Sequence, residues 1–293
     1  MTNPRVFIVD VFAEEKYAGN QLAVVTGGAA LSSAAMQRIA RETNFSETTF
    51  VVSDQLRDGG YDVRIFTPAA EIPFAGHPTL GTAFVLRHEI LDHQPDTVTL
   101  NLGVGQVPVS FTPDSEGRET VWMRAPHVEL GQTRPPEQVA AIVGLSVADL
   151  DSRFPVQDTS VGISFTMIPV ATLDAMKRAR FNRAVFDRQS EVRNAQFLFS
   201  SQTYSGDNQF NARMFAEPFG VPEDPATGSA NACFGAYLVR HKYGAGDRLD
   251  IRVEQGCEIG RPSLLFVRAE RTTTGADVFV GGHVVPTFRG ELL

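Results

Sequence analysis

The sequence predicts two similar domains of mixed α and β structure, and three observations lead there. The chain has 293 residues, more than one hydrophobic core usually serves. Hydrophobic residues make up 43% and charged residues 20%, an ordinary globular composition. The third observation is a stretch that occurs twice: EIPFAGHPTLGTAFVL at 71–86 and EDPATGSANACFGAYL at 223–238 have the same length. Laid side by side, Glu71, Pro73, Gly76 and Leu86 fall opposite Glu223, Pro225, Gly228 and Leu238.

The elements follow in order. VFIVDVFA (6–13) alternates and is rich in Val, Ile and Phe, which reads as a strand; QLAVVTG (21–27) reads as a second, after a turn carrying Gly19 and Asn20. LSSAAMQRIARETN (31–44) has a capping Ser at 32 or 33, with Met36, Ile39, Ala40 and Thr43 at helical spacing. Strands are expected at 47–53 and 60–68, a helix over 76–91, and strands within 97–111 and 119–126. RPPEQVAAIVGL (134–145) opens a helix with Pro in its first turn. The order then loosely repeats: strand structure in 161–172, a helix at 173–182, strands at 195–202 and 210–217, the second copy of the motif with its helix, and strands at 248–256, 263–270 and within 276–292. A repeat of about half the chain implies two similar domains facing each other. The boundary is expected between Ala125 and Pro136, where Pro, Gly and polar residues take over.

Charge and cysteine content narrow the partners. The formal net charge is −8 with no Lys/Arg run, which argues against a nucleic-acid surface. A small anionic substrate stays open, since a site needs only local donors. No apolar run approaches the ~20 residues of a membrane span. The N-terminal apolar run is broken by Asp10, Glu14, Glu15 and Lys16, so no signal peptide is read and a cytoplasmic location is expected. Cys233 and Cys257 form no CxxC pair, which argues against a disulfide framework or a structural zinc site; both read as small buried hydrophobes.

A Gly turn followed by a helix points several backbone N–H groups at one spot, where the helix dipole adds partial positive charge. The natural guest is a carboxylate or phosphate. Either copy alone reads more simply as a helix start. Two copies, each with a polar side chain just after its Gly (His77 and Ser229), favour a site, and the small residues that follow (Thr79, Gly81 and Thr82; Ala230, Ala232 and Gly235) let each helix run through a crowded interior. Glu47, between Phe45 and Phe50, is placed for partial desolvation, which raises a carboxyl toward general acid/base use; a surface Glu at a strand edge fits the local sequence equally well. Asp224 reads locally as a turn residue. His77 is expected to titrate near neutrality and to move a proton or hydrogen-bond a substrate.

GNQLAVV, NFSETTFV, EIPFAGHPTLGTA, EDPATGSA, EQGCEIGRPS and the late VGGHVV, in this order along the chain, together resemble the phenazine-biosynthesis-like PhzF family. The resemblance implies the α+β, diaminopimelate-epimerase-like fold: two pseudo-symmetric domains, each a curved, barrel-like sheet around a central helix, with the active site in the cleft between them. It implies domains at 1–125, completed by the strands of about 277–293, and at 126–276, and a homodimer. The family's namesake isomerises trans-2,3-dihydro-3-hydroxyanthranilate without cofactor or metal. Its acid/base Glu matches Glu47, the His of its GHP motif His77, and the Asp and Ser of its DPxTGS motif Asp224 and Ser229. Its substrate-contacting Asn and Ser match Asn20 and Ser46, and its two Gly turns Gly76 and Gly228.

Relatives in this fold that racemise amino acids place a cysteine immediately before each Gly; the positions here hold Ala75 and Thr227, and neither is a base. Inverting a stereocentre needs groups on two faces, whereas moving a proton between carbons on one face of a ring needs a single carboxyl. The expectation is therefore an isomerase, with Glu47, His77 and Asp224 catalytic and Asn20, Ser46, Gly76, Gly228 and Ser229 binding substrate. An epimerase without thiols and a non-catalytic binder of an acidic metabolite are the rivals.

Overall fold

The computed structural model describes residues 4–53, 55–189, 191–243 and 246–293. The chain divides into two compact units, 1–124 with 281–293, and 125–280.

In the first unit, β1 (Arg5–Val11) and β2 (Asn20–Val25) pair antiparallel. α1 (Ser33–Thr43) crosses to β3 (Glu47–Val51), parallel to β2. The side chain of Ser32 caps α1 by accepting from the Ala35 N–H at 3.2 Å, which satisfies one of the free donors of the first turn. β4 (Tyr61–Phe66) and the short β5 (Glu71–Ile72) lead into α2 (Gly76–Val85). β6 (Thr97–Leu102), β7 (Gly105–Pro113) and β8 (Glu119–Arg124) follow. β18 (Val284–Glu291) lies antiparallel to β1, with Ile8 opposite Phe288. Hydrogen-bonded neighbours run β8–β7–β6–β4–β3–β2–β1–β18. The strands at both ends of that row, β8 and β18, contact α2. A sheet whose two ends touch one helix must curve around it.

The second unit repeats this order. β9 (Glu129–Arg134) and α3 (Pro136–Ala140) precede it. β10 (Val156–Ser160) and β11 (Ser164–Pro169) pair antiparallel. α4 (Leu173–Arg178) and α5 (Arg183–Arg188) then cross to β12 (Ala195–Ser200), parallel to β11. β13 (Phe210–Ala216) and β14 (Val221–Asp224) lead into α6 (Gly228–Arg240). β15 (Arg248–Gln255), β16 (Ser263–Thr272) and β17 (Gly275–Gly282) follow. β9 and β16 both contact α6, so this sheet also curves around its helix.

Each unit is an α+β layer structure in which one apolar helix fills a curved sheet. Every residue of α6 except Arg240 is buried, and α2 is buried apart from half-buried Phe84. A helix buried all round carries no amphipathic stripe. The stripe belongs to α1 instead, whose Met36 and Ala40 pack on Val25, Phe50 and Phe66. Around α6 an aromatic cluster closes the core: the rings of Phe199 and Phe210 lie 4.6 and 4.9 Å from Phe234.

Several elements differ from the sequence expectation. The helix expected over 76–91 ends as α-helix at Val85 and widens to a π turn over Leu86–Ile90. The helix expected at 173–182 stops at Arg178, and α5 follows as a separate helix with Asn182 as its cap. The 134–145 helix is one α turn continued as a 3-10 turn. β9, β10, β14 and the two-residue β5 were not anticipated.

Candidate active site

In the first unit the repeated motif is anchored by an ion pair. Arg64 of β4 forks onto Glu71, with Nε 2.8 Å from Oε1 and an NH2 nitrogen 2.6 Å from Oε2. The second unit does the same: Arg213 of β13 forks onto Glu223 at 2.8 and 2.8 Å. These planar bidentate pairs fix the strand-to-helix turn that follows. The pairing gives the matched Glu71 and Glu223 a structural role.

α2 begins at Gly76 with Ala75 as its cap, and α6 at Gly228 with Thr227 as its cap; neither cap side chain hydrogen-bonds the first turn. Three residues after each Gly, a side chain donates back to the cap carbonyl: Thr79 Oγ1 to Ala75 O at 2.7 Å, and Asn231 Nδ2 to Thr227 O at 3.0 Å.

Glu47 is the first residue of β3. It arrives there because Asn44 closes α1 in the left-handed conformation (φ 53°) and turns the chain directly into the strand. Its side chain is 16% exposed, and its Oε2 lies 3.5 Å from Nε2 of His77, itself 4% exposed. Burial lowers the His77 pKa to about 3, against a hydrogen bond to the backbone of Gln21 that favours the protonated ring. The expectation that His77 titrates near neutrality is therefore corrected. The ring is neutral at physiological pH, because removing an imidazolium from water outweighs one hydrogen bond. Asn20 is buried at the start of β2, one residue before Gln21. It follows Gly19, whose φ is +66° and where a Cβ would stand 2.5 Å from Val11 O. Only glycine fits that turn. Ser46 is half-buried directly before Glu47. Asn20, Ser46, Glu47, Gly76 and His77 thus all belong to the first unit, with Glu47 and His77 in side-chain contact.

In the second unit Asp224 is the last residue of β14 and is 8% exposed. Its Oδ2 accepts from Thr227 Oγ1 at 2.5 Å. Ser229 is buried in the first turn of α6. Gln255, fully buried at the end of β15, reaches this turn with four hydrogen bonds. It was not singled out from the sequence, although it lies in the EQG motif on which the resemblance drew. Cys233 is buried in α6 and Cys257 is half-buried, not fully buried as expected. Burial pushes both thiols up to about 12, which leaves neither as a thiolate base.

Comparison with known proteins places the chain in a family. The family model of phenazine biosynthesis-like proteins matches residues 9–290. The chain belongs to that family. Trans-2,3-dihydro-3-hydroxyanthranilate isomerase of Pseudomonas aeruginosa is 35% identical over 271 residues, covering 91% of this chain and 90% of that protein. A PhzF-family phenazine biosynthesis protein of Bacillus anthracis superposes with a TM-score of 0.90 at 28% identity, covering all of both chains. A probable proline racemase of Agrobacterium radiobacter shares the fold at a TM-score of 0.62 and 12% identity, covering 99% of this chain and 93% of that one. The family's named relatives are isomerases, and this family member is an isomerase. No described helix is long and apolar enough to cross a membrane.

Proposed function

We propose that the protein is a cofactor-independent isomerase that moves a proton between two carbons of a small cyclic or unsaturated carboxylic acid, with Glu47 as the proton shuttle. The observation that carries this reading is the contact between Glu47 and neutral His77. His77 Nε2 makes no hydrogen bond, so the bond to the Gln21 backbone uses the other ring nitrogen. A neutral imidazole has one N–H and one lone pair. With the N–H directed at Gln21, the lone pair of Nε2 faces Glu47 Oε2. Two facing lone pairs become a hydrogen bond when a proton sits on Glu47, so His77 supports the protonated state of the carboxyl. A substrate C–H delivers such a proton, and the carboxyl then returns it to a second carbon while the double bond shifts. Atoms and electrons balance without any co-reactant.

The remaining roles follow from chemistry. In the first unit the first-turn N–H groups of α2 bind the carboxylate as preorganised dipoles, and in the second unit the first turn of α6 with Ser229 offers the same kind of anion cradle. Asn20 and Ser46 in the first unit hydrogen-bond polar substituents, and Asp224 in the second unit is assigned the same chemistry. Ala75 and Thr227 stand at the two helix caps, where a two-base racemase needs acid/base groups; this favours the one-carboxyl mechanism.

The test is one incubation in D₂O with trans-2,3-dihydro-3-hydroxyanthranilate, followed by absorbance and proton NMR. Wild type is expected to turn it over, and Glu47→Gln to remain folded with a rate ~10²–10⁴-fold lower. Full turnover by Glu47→Gln removes Glu47 from the chemistry. No turnover by wild type rejects this substrate.

A further inference from the structure

We infer that Gln255 is a positioning residue that holds Asp224 in its ionised form through Thr227. The inference rests on the isomerase reading only for its catalytic consequence. Its structural content stands on the second unit alone.

Gln255 has 0% exposure, so each polar atom of its carboxamide needs a protein partner. Nε2 donates to Asp224 O at 2.9 Å and to Thr227 Oγ1 at 3.2 Å. Oε1 accepts from Thr227 N at 3.3 Å and from Asn231 Nδ2 at 3.1 Å. One side chain thereby ties the end of β14, the cap of α6 and the first turn of α6 to β15. The approach is built into the backbone. Gly256 has φ +76°, and a Cβ there would stand 2.4 Å from Arg261 O and 2.6 Å from Pro225 O. No other residue lets β15 end this close to the Asp224–Thr227 turn.

The direction of the hydrogen bonds decides the electrostatics. An amide N–H₂ can only donate, so Thr227 Oγ1 receives from Gln255 and must direct its single proton elsewhere. The Asp224 carboxylate oxygen that it meets is then an acceptor. A protonated Asp224 Oδ2 would compete with Thr227 for that role. The chain Gln255 to Thr227 to Asp224 therefore favours the carboxylate, as hydrogen bonds to a charged acceptor do. Thr227 occupies the position where thiol racemases carry a base. Here it is a relay, oriented by Gln255 and not available as an acid.

The experiment measures the Asp224 carboxyl directly. Asp-selective ¹³C labelling, with assignment by Asp224→Asn, gives its titration curve in wild type, Thr227→Val and Gln255→Glu. Thr227→Val removes the last link at nearly constant volume. Gln255→Glu replaces the donating amide with a group that donates only when protonated. Both variants are expected to raise the Asp224 midpoint by about one pH unit, and the double variant by less than the sum, because the two act in one chain. In the isomerase assay, both should lower kcat more than they raise KM and shift the acid limb of the pH profile upward. An unchanged Asp224 midpoint in folded Thr227→Val and Gln255→Glu overturns the inference. So does an additive double variant. A wild type inactive on the substrate rejects that isomerase assignment and leaves the titration result to decide this inference on its own.

Discussion

His77 sits where burial and a hydrogen bond oppose each other, and burial wins. Its pKa is about 3 in the folded chain against an ordinary 6.5. The unfolded chain therefore binds a proton at His77 between those values and the folded chain does not. Stability is fully present above about pH 6.5 and falls as pH drops toward 3, because protons draw the chain toward the unfolded state. Each unit of separation is worth about 1.4 kcal/mol. Between about pH 7 and about pH 4.5, wild type should lose about 2–3 kcal/mol more than His77→Gln, which has no such group. Urea unfolding at the two pH values measures the difference, and equal losses would mean that His77 is protonated in the fold. The GHP motif marked this residue as functional. Its charge state was not legible, because it depends on burial in the fold and on neighbours such as Gln21 and Glu47 that lie elsewhere in the chain.

At the scale of the element, the two central helices are held by what they lack. A Cβ on Gly235 would stand 2.8 Å from Val267 Cγ1 and 3.0 Å from Val278 Cγ1; one on Gly81 would stand 2.6 Å from Leu22 Cδ2 and 2.8 Å from Val11 Cγ2. Gly to Ala normally gains up to about 1 kcal/mol within a helix. Here overpacking against β-branched strands costs about 1–3 kcal/mol, so Gly235→Ala and Gly81→Ala should each be net destabilising. A lower midpoint in thermal unfolding is the expected sign, and a higher one would show that the strands can give way. The small residues along both helices were readable as crowding, and the paired motifs gave the repeat. Other elements left no trace. β9 reads ELGQTR with only Arg134 buried, so no alternation marks it. β14 spans four residues between two turns, and β5 only two. Gln255 was invisible for a related reason: a buried amide looks like any strand residue until its three partner residues, from 24 to 31 positions away, are brought to it.

For the whole molecule, the deciding fact is that the first unit closes with the last strand. β18 pairs with β1 from Arg5↔Glu291 to Val11↔Val284, and it also touches α2. Loop closure over nearly the full chain must come before those contacts form, and such non-local pairing is intrinsically slow. The second unit, 125–280, needs no such return. It has its own outer core, in which Ile142, Met176, Val192 and Leu198 are fully buried, besides the aromatic cluster around α6. The two units should therefore respond differently to loss of residues 284–293. Without β18, β1 becomes an open edge, and an unpaired row of backbone donors and acceptors is an aggregation template. Amide exchange read by mass spectrometry should show peptides from β1, β2 and α2 exchanging at least about 10-fold faster, as loss of a few kcal/mol of local stability implies, while peptides from β12, β13 and α6 keep their protection. Equal loss of protection in both units would show that they unfold as one. Unchanged protection in β1 would show that its pairing with β2 and its packing on α2 already hold it.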